Sequence, residues 1–320
     1  MSLYVKNFVS RLLLFLFLDR MLDYKKILIP IDFSEHSAFA AKQGLSLAQQ
    51  FKAAVFFLHV SDDAERSARR LSKFLQHRIG FEMPVPVTKL VAQGNPVSVI
   101  LAAARKIRAD ILVLGTRGAS GLKYLVLGSV AEKVLRQSEY PVLVLKKRDE
   151  SSDEYMFPQI RNTQDVLQAD KILVPLDFSP AAQQALHHAL SIASRYSATV
   201  YALTVFDKKL KEYGSDGEEH TSVMIRRKKI RLWQEFPALL QKLDYDPSQI
   251  RLKRMLLPGD PYTRIEDIVE KKEIDLIVMG THRKGGIGQL LAESVAGKVL
   301  RSIGCSVMTV QADSEEMQDS

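Results

Sequence analysis

The chain is poor in the residues that build sites by themselves. Cys305 is its only cysteine, which excludes an intramolecular disulfide and a thiolate-cluster metal centre and fits a reducing compartment such as the cytoplasm. It lies in the apolar run Cys305-Ser306-Val307-Met308, where a buried structural thiol is expected. The histidines give no metal-ligand spacing with carboxylates: His187 and His188 are adjacent and point apart on a helix, and His59 and His282 stand alone. Long apolar runs are missing as well. Leu12 through Leu18, behind Lys6 and Arg11, is too short to span a bilayer, so no stable membrane insertion is expected. Asp19-Arg20 follows it where a signal peptide would carry a small-residue cleavage site. Met21 is the expected biological start. Residues 1–23 then read as an extension outside the fold, with an interfacial anchor as the other reading.

Two common nucleotide-enzyme signatures are also absent. No Gly-x-x-x-x-Gly-Lys-Ser/Thr loop exists, so the lysine and magnesium-binding hydroxyl of a P-loop enzyme have no place. No dinucleotide fingerprint follows the first apolar strand, where Pro30-Ile31-Asp32-Phe33-Ser34 stands instead. Acid pairs such as Asp62-Asp63 have no partner base, which leaves glycosidase and protease chemistry without support.

What is present is an ordinary globular composition, 46% hydrophobic and 26% charged over 320 residues, enough for two domains of roughly 150 residues. The formal charge of +8 suits an anionic partner. It is spread out, and its densest patch, Arg226-Arg227-Lys228-Lys229 with Arg231, reads as a solvated helix end; nucleic acid is not expected as a partner.

An internal repeat organises the chain. Lys26-Ile-Leu-Ile-Pro-Ile-Asp32-Phe-Ser34 recurs as Lys171-Ile-Leu-Val-Pro-Leu-Asp177-Phe-Ser179, and Asp110-Ile-Leu-Val-Leu-Gly115-Thr116 as Asp275-Leu-Ile-Val-Met-Gly280-Thr281. Gly94-Asn95-Pro96 answers to Gly259-Asp260-Pro261, and the second copy carries an insertion around Lys208 to His220. Within each copy, short β-rich runs alternate with helical periodicity, the signature of βαβ units and a parallel sheet. In the first copy strands are expected at Lys26–Ile31, Ala54–His59, Val85–Val91, Ile111–Leu114 and Val142–Leu145. Helices are expected at about Glu35–Phe51, Asp63–Ile79, Pro96–Ile107 and Ser129–Gln137. The domains are read as 24–147 and 169–312, with a polar linker at 148–168 and an acidic tail at 313–320.

The stretch Gly115-Thr-Arg-Gly118-Ala-Ser-Gly121-Leu-Lys-Tyr-Leu-Val-Leu-Gly128-Ser129 follows a buried strand and opens an amphipathic helix. Glycines let the backbone approach an anion, and a helix N-terminus offers unpaired N–H groups and partial positive charge. Ser129 is placed to cap the helix and to offer its hydroxyl to a phosphate; Arg117 can add charge or face solvent. Simple loop geometry is the plainer reading of this stretch. For Asp32 the plainer reading is a turn former capping the next helix.

The combination Gly-x2-Gly-x9-Gly-Ser at Gly115, Gly118, Gly128 and Ser129, with Pro-x-Asp at Pro30 to Asp32, resembles the ATP-binding subgroup of the universal stress protein family. The likeness covers nearly all of residues 24–147 and, more loosely, 169–312. It implies an α/β fold of two tandem doubly wound parallel five-stranded sheets of order 3-2-1-4-5, like that of adenine-nucleotide alpha hydrolases. It further implies that Asp32 holds the ribose or adenine side, that the Val60 backbone reads the adenine edge, and that Gly115, Gly118, Gly128 and Ser129 cradle the phosphates of ATP, AMP or ADP, with or without Mg. Relatives dimerise through the last strand, so the resemblance implies an internal pseudo-dimer, with a homodimer also open.

The second copy keeps Asp177, Gly280 and Ser294 but has Arg283 for Gly118 and Glu293 for Gly128. A carboxylate about 4 Å from a phosphate charge repels it by roughly 4 kcal/mol at an effective dielectric near 20, so no cofactor is expected there. The function implied is a cytoplasmic nucleotide-binding stress-response sensor or adaptor with an unidentified protein partner and no catalytic residues. The alternatives are a structural adaptor for protein or lipid, and an ATP-using adenylyl transferase or ligase.

Overall fold

The computed structural model describes residues 21–79, 85–116, 127–146, 167, 169–206, 234–243, 245, 250–281 and 294–312. The first copy runs β1 (Lys26–Pro30), α1 (Glu35–Phe51), β2 (Ala54–Val60), α2 (Ala64–Arg78), β3 (Val87–Ala92), α3 (Pro96–Ile107), β4 (Ile111–Gly115), α4 (Ser129–Gln137) and β5 (Val142–Leu145). The second runs β6 (Lys171–Pro175), α5 (Pro180–Tyr196), β7 (Thr199–Phe206), α6 (residues 234–242), β8 (Arg251–Pro258), α7 (Pro261–Lys272), β9 (Leu276–Thr281), α8 (Val295–Ser302) and β10 (Ser306–Gln311). The arginine-lysine patch at 226–231 and the acidic tail lie outside the described residues.

The boundaries follow local chemistry. Asn95 and Asp260 cap α3 and α7 by accepting first-turn amides, each followed by a proline at the first helical position, where the missing N–H costs nothing. Asp63 turns out to be the cap of α2, and Ile79 the residue after its last turn. The expected start of β3 at Val85 moves to Val87: Pro86 accepts from the Val55 amide at 2.8 Å but has no N–H to give to the ladder. β1 stops at Pro30, and β2 extends to Val60.

The strands form one sheet of order β3-β2-β1-β4-β5-β10-β9-β6-β7-β8. Each half therefore has the 3-2-1-4-5 order and is parallel within itself. The two five-stranded sheets meet edge to edge, the pairing implied by the resemblance: β5 and β10 join antiparallel, with Val144 opposite Val307 and Val142 opposite Thr309. Both faces of the sheet are covered. Alternate residues of each strand point to opposite faces, so Ile27 and Ile29 join a core with α1, α2, α5 and α6, while Leu28 joins one with α3, α4, α7 and α8.

Two further contacts tie the halves together. Across the strand seam, the buried Lys146 ammonium donates to the Ile303 carbonyl at the end of α8, 2.5 Å away. Burial pushes Lys146 down to about 8, against a smaller opposing influence of Cys305. Cys305 is itself buried. On the other contact, the end of the expected extension and the first residue of the expected domain dock on α5: the Leu22 amide donates to Ser191 at 3.0 Å, and Tyr24 and His188 share a buried hydrogen bond of 2.7 Å. Burial, and then the neighbouring His187, push His188 down to about 3. His188 is thus a neutral structural histidine.

Candidate functional site

In a doubly wound sheet the ligand crevice opens beyond the carboxyl ends of the strands where the order reverses, here between β1 and β4. Asp32 lies just past β1. Its carboxylate accepts from the Ser34 amide at 2.9 Å and the Ser34 hydroxyl at 2.5 Å. Ser34 in turn caps α1 by accepting from the Ser37 amide at 3.1 Å. Asp32 is therefore a turn former one step removed from the cap, and it stays exposed. Partial burial would raise its pKa, but the hydrogen bonds from Ser34 and Ser37 outweigh it and hold the carboxyl below its ordinary value.

Between them, Phe33 adopts φ 66°, a left-handed conformation that a bulky residue enters only when its surroundings enforce it. Its ring is held by His59 at 4.2 Å, Phe74 at 5.3 Å and the Arg70 guanidinium at 4.1 Å. His59, which carries no signal of function in the sequence, thus belongs to the rim of the site, with Nδ1 2.7 Å from the Ile31 carbonyl oxygen.

That hydrogen bond bears on Val60. The Ile31 amide donates to the Leu58 carbonyl, while the Ser61 amide donates to Ala92 on the β3 side. Backbone polar groups alternate sides along a strand, so the N–H and C=O of Val60 face the β1 side, where β1 has already ended. Among the described residues, no backbone hydrogen bond from Val60 crosses to β1. A donor and an acceptor are left side by side next to Asp32.

Gly115 ends β4. A Cβ there would lie 2.3 Å from the His36 carbonyl oxygen, so glycine is needed for α1 to approach β4. Gly115 thus has a packing task beside the phosphate role that the family resemblance implies. Gly118 and Arg117 lie outside the described residues. Gly128 has φ −62°, and a Cβ added to it would meet no heavy atom within 4 Å among the described residues, so neither its backbone nor those neighbours demand glycine. It occupies the cap position of α4 without a side chain to cap it, and Ser129 is the first helical residue. The expectation that Ser129 caps the helix is corrected, and its exposed hydroxyl stands at an N-terminus whose amides lack a side-chain cap.

The second copy repeats much of this. Ser179 donates to Asp177 from its amide at 3.0 Å and its hydroxyl at 2.5 Å, Phe178 has φ 64°, and the Thr204 hydroxyl replaces His59 by donating to the Leu176 carbonyl. A Cβ on Gly280 would meet the Ala181 carbonyl carbon at 2.5 Å. At the helix the copies part: Ser294 does cap α8, accepting from the Gly297 amide at 3.0 Å. Among the described residues no cluster of histidine, cysteine or carboxylate could hold a metal ion, and no helix is long and apolar enough to cross a membrane.

Known proteins match this arrangement. A universal stress protein of Methanocaldococcus jannaschii is 36% identical over 141 residues, 39% of this chain and 83% of its own length. One from Mycolicibacterium smegmatis is 24% identical over 256 residues, 78% of this chain and 77% of its own. A solved universal stress protein of Archaeoglobus fulgidus superposes with a TM-score of 0.62 at 20% identity, covering 91% of this chain and all of that one, a likeness of fold. The profile of the universal stress protein family matches residues 23–146 and again 168–311, and the chain, with its two copies of that domain, belongs to the universal stress protein family.

Proposed function

We propose that the first copy binds an adenine nucleotide, ATP or AMP, and that the protein acts as a cytoplasmic stress-response sensor or adaptor. The observation that carries this reading is the Val60 backbone edge, whose N–H and C=O, without a backbone partner across to β1 among the described residues, match the acceptor and donor on the edge of an adenine ring. In this reading Asp32, held ionised, accepts from ribose hydroxyls. Gly115, Gly118, Gly128 and Ser129 surround the phosphates, with the uncapped α4 supplying amides and partial positive charge.

The domains are taken as 24–147 and 169–312. The second copy, with α8 already capped, is assigned no nucleotide. Calorimetry with ATP tests the reading. Gly128→Val should fold normally, since its side chain meets none of the described residues, and should lose ATP. Asp32→Ala should weaken adenosine and ATP alike, and Ser129→Ala should weaken ATP alone. Unchanged ATP affinity in Gly128→Val would remove the site.

A further inference from the structure

The outer face of α2 carries charge that the nucleotide reading leaves unused. Arg66, Arg70 and Lys73 stand at i, i+4 and i+7, one face of the helix, and all three are exposed. Their basic neighbours are spoken for: Arg69 pairs with Glu65 and Arg78 with Glu35. Among the described residues, no carboxylate pairs with Arg66, Arg70 or Lys73. The Asp63 carboxylate at the start of α2 accepts from the Arg66 amide, not its guanidinium.

Arg70 is also the stripe's link to the site. Its guanidinium lies 4.1 Å from the centre of the Phe33 ring, and Phe33 is the residue after Asp32. A cation over an aromatic face is held through its flat side, which leaves the N–H groups at its edge free to donate to an anion. Among the described residues the second copy shows no such stripe: its α6 holds Glu235 and Lys242 as charged residues, and Phe178 meets Phe236.

The first copy thus favours anions on both sides of the β1–β4 switch point, at the uncapped α4 on one side and at Arg70 on the other. With the base on Val60, the ribose on Asp32 and the 5′ chain toward Gly128, the ribose 2′ and 3′ hydroxyls face away from α4, toward Phe33 and α2. We infer that the first copy takes an adenine nucleotide bearing a second phosphate on its ribose, bound by Arg70 with Arg66 and Lys73 behind it. The inference rests on the adenine-nucleotide reading and narrows its ligand class.

Calorimetry on the full chain at low salt tests it, with AMP, adenosine 3′,5′-bisphosphate and adenosine 2′,5′-bisphosphate as probes. One of the bisphosphates should bind about tenfold more tightly than AMP, the gain of a charge-assisted guanidinium–phosphate pair, and the isomer that gains identifies the hydroxyl. Arg70→Ala should remove that advantage while AMP affinity stays unchanged, and Arg66→Ala/Lys73→Ala should reduce it. Equal affinity for all three probes would overturn the inference and leave the nucleotide reading standing. So would an advantage that survives in Arg70→Ala. Failure of every adenine nucleotide to bind would overturn both.

Discussion

The two copies agree at one end of the crevice and differ at the other. Past β1 and β6 they share an aspartate held by a serine two residues on, a phenylalanine forced to positive φ, and a side chain on the next strand bonded to the carbonyl that closes the first. At the helix after β4 and β9, the first copy leaves the N-terminus without a side-chain cap, and the second fills it with Ser294. An N-terminus that has satisfied an amide internally has less to offer an anion. What both copies keep holds the turn after the first strand, and the helix end left open only in the first copy is the part that the proposed phosphate site uses. On that reading, retention of Asp177 and Gly280 alone does not predict a second nucleotide.

The largest expected effect checks that division. Gly115→Val and Gly280→Val both drive a side chain into the backbone of the facing helix. Each should cost about 3 kcal/mol or more in urea unfolding, with no difference between copies. A stable Gly115→Val protein that has merely lost ATP would mean that the glycine serves the ligand alone. Val144→Pro, at the seam, should cost about 3 kcal/mol through a lost ladder donor and loosen the halves, seen as expansion in small-angle scattering and faster proteolysis.

The seam and the docking of Leu22 and Tyr24 on α5 break the symmetry between copies, and pH exposes both. Lys146 titrates at about 8 in the fold against its ordinary 10.5, so the unfolded chain holds the proton more tightly in that window. Stability should rise by about 3 kcal/mol between pH 8 and 10.5, at about 1.4 kcal/mol per unit, and Lys146→Met should abolish the rise. His188 runs to the acid side: its contribution is present above 6.5 and lost as pH falls toward 3, about 2 kcal/mol by pH 5. His188→Gln imports the buried glutamine that the first copy holds as Gln43 and should flatten that loss in thermal melts.

The smallest effects are the sharpest test of the helix ends. Ser294→Ala should destabilise by about 1 kcal/mol. Gly128→Ser should add a cap, raise stability by about 0.5 kcal/mol, and lower ATP affinity severalfold. A Gly128→Ser protein that binds ATP unchanged would show that the cap is irrelevant to the ligand.

The sequence by itself determined the repeat, the order of elements and the class of fold, because hydrophobic period, Asn-Pro and Asp-Pro starts and Asp-Phe-Ser turns are local signals with local causes. It also pointed to Asp32, Val60 and Gly128 through their place in a family pattern. It could not separate the tasks of its glycines, since Gly115 and Gly128 look alike in a string and differ only in what a Cβ would meet. Nor did it reveal His59, Arg70, Lys146 or the docking of Met21–Tyr24. Each acts through a partner distant in sequence, and only the folding of the sheet brings those groups within hydrogen-bonding or stacking distance.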